Sequence, residues 1–395
     1  MMVLAAVLSA WVQYAADGKP HVRALAPQTC PAAVRYDGGS SPMRMRAGMS
    51  PGFDEVVCDA VIPSAARHVS VENTALPSPA LAPQRIVVLG DTGCRMSQWE
   101  QQNCGDGADW PFPKIARTIA KVHPDLLVHI GDYYYRETNC LASVKDCVNR
   151  WGDTSLSWNA DWFWPAKPLF ASAPLVLIRG NHEDCERGGP AWFRYLDGAD
   201  TPAPCTAGAL DGSPPWAVSF GSLRIVVNDS SADPSDSKPD PARIAFYQTS
   251  YRKAQSLATG AGEAWFVTHR PPYANTNETQ ALVQSGWKLT PFAAVLTGHV
   301  HDFEAINLSG YPPVIVNGES GDDLDDAGST LKYIGLQTND GKPVYAIASP
   351  APYSTKQFGF AVYTRKYGAW SISLRDVEGI ERRVCTLAHA TISCL

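Results

Sequence analysis

Beyond about residue 84, hydrophobic positions fall into short continuous runs that alternate with longer segments of helical periodicity. Residues 85–89 and 126–130 are compact apolar runs, and between them apolar residues recur near helical spacing over residues 112–122, before Pro124. This alternation predicts an α/β domain with buried strands. We expect further strands at residues 174–178, 223–227, 264–268 and 293–297, and strands that complete a second sheet at residues 344–347, 359–364 and 370–374.

The pattern before residue 75 is different. Short β-like segments at residues 12–14, 21–25 and 55–62 are separated by Gly, Pro and Ser, which is typical of a small β-domain. A proline-rich stretch at residues 75–83 has the composition of a semi-rigid linker. The sequence therefore predicts a small β-rich domain at 11–74, the linker at 75–83, a large α/β domain at 84–376 and a disulfide-bonded C-terminal strand or tail at 377–395.

The ten cysteines lie in sequence-local couples, which favours disulfides over a zinc site because no paired C-x-x-C knuckles are present. We expect the pairs Cys30–Cys58, Cys94–Cys104, Cys140–Cys147, Cys185–Cys205 and Cys385–Cys394. Disulfides indicate an oxidising compartment, so we expect a secreted or periplasmic protein. Residues 1–10 are interpreted as a signal-peptide remnant, with a first β-strand running into residues 11–14 as the alternative. No apolar run is long enough to predict a membrane span.

The overall charge excludes some classes of partner. The net charge is −6 and the sequence pI is about 5.8, so no basic field attracts nucleic acid or an anionic membrane. We therefore expect no nucleic-acid partner. A small anionic substrate would have to be held locally, by metal ions or a few arginines.

Five short motifs carry the candidate chemistry, and each follows the end of an expected strand. The carboxyl ends of strands in an α/β sheet meet in one crevice, so residues distant in sequence can converge there. The side chains of the five motifs offer carboxylate, imidazole, amide and phenol donors, which suit iron, zinc or manganese. The motifs are Gly90-Asp91-Thr92-Gly93, Gly131-Asp132-Tyr133-Tyr134-Tyr135, Gly180-Asn181-His182-Glu183, Thr268-His269-Arg270 and Gly298-His299-Val300-His301.

Taken in order, the five motifs resemble those of the calcineurin-like metallophosphoesterases, and the spacing from Asp132 to Tyr135 resembles the purple acid phosphatase branch. The resemblance covers about residues 84–376. It implies a four-layer α/β/β/α domain, in which two packed mixed sheets are flanked by helices. The N-terminal part parallels the small β-sandwich-like domain that many purple acid phosphatases carry before the catalytic domain.

The resemblance also implies a site for two metal ions. Related enzymes that lack the tyrosine have a histidine two residues after the first aspartate, and in this sequence that position is Gly93. A phenolate is a hard anionic donor, so Fe(III) is expected next to Tyr135, with Zn(II), Fe(II) or Mn(II) as the second ion. Asp132 is expected to bridge both ions. The first ion would take Asp91, Tyr135 and His301, and the second Asn181, His269 and His299.

In this scheme a metal-bridging hydroxide attacks a phosphate monoester, as in an acid phosphatase. His182 is the candidate proton donor to the leaving group, oriented by Glu183 or Asp184. Arg270 is a candidate to hold a phosphate oxygen, with a surface ion pair equally open. Two other functions stay open: a phosphodiesterase or nucleotidase with the same site, and a non-catalytic phosphate-binding or adhesion protein.

Several other conspicuous residues are given structural interpretations. Tyr133 and Tyr134 are expected to pack in the core, and His129 is expected either to pack there or to donate a hydrogen bond near the metal ligands. The aromatic run at residues 151–164 is interpreted as core packing, with a stacking wall beside the site as the alternative. The acidic run at residues 322–326 is expected to be a solvated loop, because it does not reproduce a defined calcium loop.

Overall fold

The computed structural model describes residues 7–141, 144, 150–207, 212–231, 241–272, 288–328 and 346–395. The described helices are α1 (Phe112–Lys121), α2 (Ser155–Trp158), α3 (Lys167–Ser172), α4 (Gly189–Tyr195) and α5 (Pro241–Ala258), with a π-helical turn at Asn159–Phe163. The described strands are β1 (Ser9–Tyr14), β2 (Pro20–Ala26), β3 (Ala33–Tyr36), β4 (Gly39–Pro42), β5 (Arg44–Ala47), β6 (Val56–Val61), β7 (Ser70–Val71), β8 (Thr74–Ala75), β9 (Arg85–Leu89), β10 (Leu126–His129), β11 (Leu175–Leu177), β12 (Trp216–Phe220), β13 (Leu223–Val227), β14 (Glu263–Val267), β15 (Ala294–Thr297), β16 (Phe303–Ile306), β17 (Val314–Asn317), β18 (Tyr353–Thr355), β19 (Gly359–Lys366), β20 (Ala369–Asp376), β21 (Glu381–Ala388) and β22 (Thr391–Cys394).

Two large mixed sheets form the centre of the fold. Within the described ranges, the first sheet has the order β22-β21-β20-β19-β9-β10-β11-β1-β2-β6-β5, and the second has the order β12-β13-β14-β15-β17-β16-β18. Strands β9, β10 and β11 run parallel, as do β13, β14, β15 and β17. The strands predicted between residues 85 and 297 are present, with ends shifted by at most one residue.

Alternating side chains explain the layers. On β9, Ile86 and Val88 belong to a core shared with Trp265 of the second sheet, whereas Val87 faces the other way and packs with Phe112 of α1. On the outer face of the second sheet, Phe266 and Val295 pack with Tyr247 and Tyr251 of α5. Because both faces of the sheets are covered at the central strands, those strands are mainly apolar. The predicted four-layer α/β/β/α architecture is confirmed.

The small β-sandwich-like region expected at the N terminus is also present. Strands β3, β4, β7 and β8 form a small sheet, and Val34 and Val71 from it share a core with Val12, Val22 and Ala24 of β1 and β2. The second layer of this sandwich is not separate from the catalytic part, because β1 pairs in parallel with β11. The predicted segment boundaries remain predictions, but the two parts share one continuous sheet.

The expected place of the C-terminal strands was wrong. Strand β19 pairs antiparallel with β9, placing Val362 opposite Val87, and β20 to β22 continue outward from it in the first sheet. These strands therefore extend the first sheet and do not complete the second. Hydrophobic periodicity identifies a strand but not its neighbour, which explains the error. The strand expected at residues 344–347 lies partly outside the described residues.

Four of the expected disulfides are confirmed: Cys30–Cys58, Cys94–Cys104, Cys185–Cys205 and Cys385–Cys394. The last joins β21 to β22 at the edge of the first sheet. The fifth expected pair, Cys140–Cys147, lies outside the described residues because it includes Cys147. No helix in the described part of the chain has the length and apolar character needed to cross a bilayer.

Candidate metal centre

The five motifs lie in one crevice, where strands of both sheets end. Three of them follow β9, β10 and β11 of the first sheet, and two follow β14 and β15 of the second. Backbone hydrogen bonds join neighbouring motifs: Asp91 N donates to Gly131 O at 3.0 Å, and Gly298 N donates to His269 O at 2.9 Å. The predicted convergence at the carboxyl ends of strands is therefore observed.

Left-handed backbone conformations turn the chain into the crevice at three of these positions. Asp91, Asp132 and His299 have φ values of 55°, 57° and 71°. This region is uncommon for residues other than glycine, and such strain is concentrated at functional sites. Gly180 approaches the same point from another loop, and a Cβ there would overlap the carboxylate and backbone nitrogen of Asp132. The backbone is therefore constrained to hold the Asp132 carboxylate in one place.

One group of donors surrounds the Tyr135 hydroxyl. Its oxygen lies 2.8 Å from Asp132 Oδ2, 3.0 Å from His301 Nε2 and 3.3 Å from Asp91 Oδ1. His301 Nε2 is also 3.4 Å from Asp91 Oδ1. All four side chains are buried, so these donors face each other with little solvent between them.

A second group meets the first at Asp132. His269 Nε2 lies 2.9 Å from Asn181 Oδ1 and 3.1 Å from Asp132 Oδ2. Donor atoms of Asp132, His269 and His299 all lie within 4.8 Å of one another, close enough to hold one metal ion. Asp132 therefore belongs to both groups of donors.

Gly93 and Tyr135 depend on each other sterically. A Cβ at position 93 would lie 2.7 Å from Cδ2 of the Tyr135 ring, so the ring fills the space that a side chain there would need. A histidine at position 93 and a tyrosine at position 135 could not both keep these positions. The glycine in the first motif is thus the structural counterpart of the tyrosine in the second.

The charges of the centre fit a cation. Burial raises the pKa of Tyr135 well above its usual range, and Asp132 and Asp91 raise it further. Burial alone would lower the pKa of His301, but Asp322 and Asp91 raise it to about 10. The raised pKa values mean that Tyr135 and His301 keep their protons, which offset the negative charge of the nearby carboxylates. A metal ion that binds here replaces such protons. Oxygen donors and imidazoles packed in this way suit iron, zinc or manganese.

Residues 84–303, more than half of the sequence, match the family model described as calcineurin-like phosphoesterase. The chain belongs to this family. Membership identifies it as a metal-dependent hydrolase of phosphoric esters, as the motifs predicted. A comparison with curated protein sequences finds no match.

The fold of this phosphoesterase is similar to two solved structures. One is the purple acid phosphatase PPD1 from yellow lupin (Lupinus luteus) seeds, with a TM-score of 0.58 and 14% identity over 97% of this chain and 74% of that one. The other is PhoD, with a TM-score of 0.56 and 12% identity over 100% of this chain and 93% of that one. At these identities the similarity concerns the fold.

The acidic segment after β17 supports His301 and is not simply a solvated loop. His301 Nδ1 lies 2.8 Å from the backbone oxygen of Asp323, and its backbone nitrogen donates to Asp325 Oδ2 at 3.0 Å. Asp322 is fully buried, forms an ion pair with Arg95 and lies 3.6 Å from His301 Nδ1. The solvated-loop prediction was therefore wrong for Asp322. Contacts of this kind orient a metal-binding imidazole.

His182 lies beside the donors, but its partner differs from the residues expected. Its Nδ1 is 2.6 Å from Glu137 Oε1, and its backbone nitrogen donates to Asp132 Oδ1 at 2.9 Å. Glu183 instead accepts hydrogen bonds from four backbone N–H groups, among them Asp132 at 3.0 Å, and Asp184 pairs with Arg187. The expected orientation by Glu183 or Asp184 was wrong, because both side chains are used to hold backbone and neighbouring loops.

Glu137 was missed by the sequence reasoning. It lies two residues beyond Tyr135, within reach of the same crevice, and that proximity was the available signal. Arg187 Nη1 lies 3.2 Å from Glu137 Oε1 and 3.1 Å from His182 Nδ1. Because an ionised carboxylate can only accept, Glu137 accepts from both neighbours, and the shorter contact assigns the Nδ1 proton of His182 to Glu137.

Arg270 does not form a surface ion pair. It is 3% exposed, and its Nη1 lies 3.0 Å from His299 Nε2. Burial lowers the pKa of His299 well below its usual range, and the Arg270 charge lowers it further. A neutral His299 is in the state needed to bind a metal ion.

The other structural interpretations are supported. His129 is buried, 2.8 Å from Thr92 Oγ1 through Nε2, and stacks on Tyr133 with ring centroids 3.9 Å apart. Trp158 and Trp162 are fully buried in the core on the helix side of the first sheet. The aromatic run is therefore mainly core, as expected.

Proposed function

We propose that this phosphoesterase hydrolyses small phosphate monoesters with two metal ions. The observation that carries the proposal is that the two buried donor groups share Asp132. Bound ions would neutralise a phosphate group and make a water molecule more acidic. The proposed ligands are Asp91, Tyr135 and His301 for one ion, Asn181, His269 and His299 for the other, and Asp132 for both.

Side chains beside the metal ligands supply the remaining chemistry. Glu137 accepts the Nδ1 proton of His182, so in the doubly protonated imidazolium the Nε2 proton can pass to the departing ester oxygen, leaving a neutral imidazole held by Glu137. Arg270 lies next to His299, at the edge of the donor group, where its guanidinium can bind a phosphate oxygen. No protein nucleophile is needed, because water attacks the phosphorus.

The donor set also supports an assignment of the metals. Tyr135 is an anionic donor once its proton is lost, and such a hard donor favours Fe(III) in the group with Asp91 and His301. The second group has imidazole and amide donors and suits Zn(II), Fe(II) or Mn(II). The disulfides support a secreted or periplasmic location, where oxidised cysteines persist.

The test combines metal analysis with substrate comparison. The purified protein should contain about two metal ions including iron, show a visible tyrosinate charge-transfer band, and hydrolyse p-nitrophenyl phosphate faster than bis-p-nitrophenyl phosphate. Asp132→Asn should lower kcat/KM at least about a thousandfold, because it removes a ligand of both ions. Asp54→Asn, which changes an exposed carboxylate elsewhere, is the matched control.

Other outcomes select other functions. Faster hydrolysis of the diester would favour the phosphodiesterase or nucleotidase alternative. Two metals without the visible band would keep the hydrolase but exclude Tyr135 as an iron ligand. A protein that cannot be loaded with metal, and whose biological activity survives Asp132→Asn, would favour a non-catalytic phosphate-binding or adhesion protein.

A further inference from the structure

We propose that the chain has a second, non-catalytic site, which binds a small molecule carrying several phosphate groups. A cavity of about 470 Å³ lies where the end of α1 meets β9, β19 and β20. This volume is in the range of small-molecule sites. Its basic lining residues are Arg85, Lys121, His123, Lys366 and Arg375.

The cavity lies at the amino end of strand β9, whereas the metal centre lies beyond its carboxyl end. Arg85 is the first residue of β9, whereas Asp91 follows the last. Lys121 ends α1, and His123 lies in the short connection to β10. Six residues of extended chain span ~20 Å, so a ligand here would not touch the metal centre.

The sheet itself creates the polar lining. On β19, Phe360 and Val362 pack in the core on the α1 side, and Thr364 and Lys366 continue the same face beyond it. On β20, Ser371, Ser373 and Arg375 point to this side, whereas their neighbours Ile372 and Leu374 belong to the core between the sheets. This face of the sheet therefore carries apolar side chains beneath α1, and it carries hydroxyl and positively charged side chains beyond the end of α1.

The cavity holds more positive side chains than carboxylates. Among the described residues, Arg85, Lys121, Lys366 and Arg375 form no salt bridge. The Nη1 of Arg85 donates to Val122 O at 2.8 Å and His123 O at 3.3 Å, which are backbone acceptors at the end of α1.

The remaining polar contacts leave the balance positive. Arg375 donates to Ser373 Oγ at 3.2 Å and to Gly379 O at 3.3 Å. The one acidic lining residue, Glu381, accepts a hydrogen bond from Ser373 at 2.6 Å. Four Lys and Arg side chains and one carboxylate line the cavity, so its local charge is positive. The net charge of the whole protein, in contrast, is −6. Such a concave patch concentrates anions locally.

The lining points to phosphate groups. Arginine and lysine with nearby hydroxyls offer charge-assisted donors that suit phosphate oxygens. A single phosphate neutralises at most about two charges, so four cations in one cavity favour a ligand with several such groups. We therefore assign a multiply phosphorylated small molecule as the occupant.

The test uses myo-inositol hexakissulfate, whose sulfate esters mimic phosphates but resist phosphoesterases and bind metal ions weakly. Titration calorimetry of the metal-loaded full chain should show one site. Lys366→Glu combined with Arg375→Glu should weaken binding at least about a hundredfold, since two charge-assisted contacts are lost and reversed. Arg35→Glu with Lys253→Glu, which changes the net charge equally at exposed positions elsewhere, should leave affinity within about threefold.

A catalytic variant separates the two sites. Asp132→Asn should bind the hexakissulfate normally, and Lys366→Glu with Arg375→Glu should hydrolyse p-nitrophenyl phosphate normally. If the Glu double variant does not fold, Lys121→Gln with Lys366→Gln carries the test, because both side chains are exposed. The proposal is overturned if the wild type does not bind, if the control variant loses as much affinity, or if only Asp132→Asn loses it.

Discussion

Replacing Glu137 by glutamine should slow proton transfer to the leaving group while leaving both donor groups for metal in place. The carboxylate accepts from His182 Nδ1 at 2.6 Å, and the two side chains are 23% and 16% exposed. A charge-assisted hydrogen bond of this kind contributes about 1.5–3 kcal/mol. If that energy is lost from the transition state, the rate falls about tenfold to 150-fold.

The assay compares two monoesters that differ in their need for a proton. An alkyl phosphate leaves as a strongly basic alkoxide and needs the proton of His182, whereas dinitrophenyl phosphate leaves as a stable anion and does not. We expect kcat for the alkyl ester to fall by the full factor and kcat for the dinitrophenyl ester to change less than about threefold. Metal content should stay at the wild-type value.

Two comparisons make the result decisive. His182→Asn should also lower kcat for the alkyl ester and leave kcat for the dinitrophenyl ester nearly unchanged. Combining it with Glu137→Gln should lower kcat little further, because the two residues act together in one proton transfer. Glu186→Gln, an exposed neighbour, should have no effect on either ester. An equal loss for both esters, or a loss of metal, would refute the role of Glu137 as the residue that positions His182.

Three further predictions concern stability, colour and metal retention. Although burial alone would raise it, the hydrogen bond from His21 helps to hold the pKa of Asp59 at about 2. Asp59→Asn should therefore cost about 2 kcal/mol in urea unfolding near neutral pH, and the difference from wild type should shrink as the pH falls through about 4 to 2, where the wild-type carboxylate is protonated as well. Tyr135→Phe should abolish the visible charge-transfer band in an absorption spectrum of the iron-loaded protein. Asp322→Asn should lower the metal content towards one ion per chain by elemental analysis, because His301 loses a buried carboxylate neighbour.

Much of this organisation follows from local patterns. Strands such as β9 and β13 consist mainly of apolar residues, because both faces of the sheet are covered there, and their ends coincide with the predicted ones. Asp91 and Asp132 were noticed because glycine-bounded polar residues directly follow such runs, and the resemblance to the calcineurin-like family then implied that they are metal ligands. Each motif is a few residues long and directly follows its strand, so its position can be recognised in a single sequence.

Other features depend on contacts between distant segments and were not predictable in this way. Asp322 and Arg95 are separated by 227 residues, and nothing local to Asp322 indicates that it is buried. The pairing of β19 with β9 is likewise set by tertiary packing. Glu137 could have been considered from its place near Tyr135, but choosing it over Glu183 required the direction of each side chain.

The parallel pairing of β1 with β11 has a consequence for how the chain is made. Gln13 pairs with Leu175, so the first strand leaves the ribosome long before its neighbour exists. Until then, one edge of β1 is open to other chains, and contacts between such distant residues form slowly. Conversely, a gene fragment that starts at the proline-rich stretch would encode β11 as an exposed edge. For recombinant production, the N-terminal sandwich and the hydrolase therefore belong in a single expressed unit.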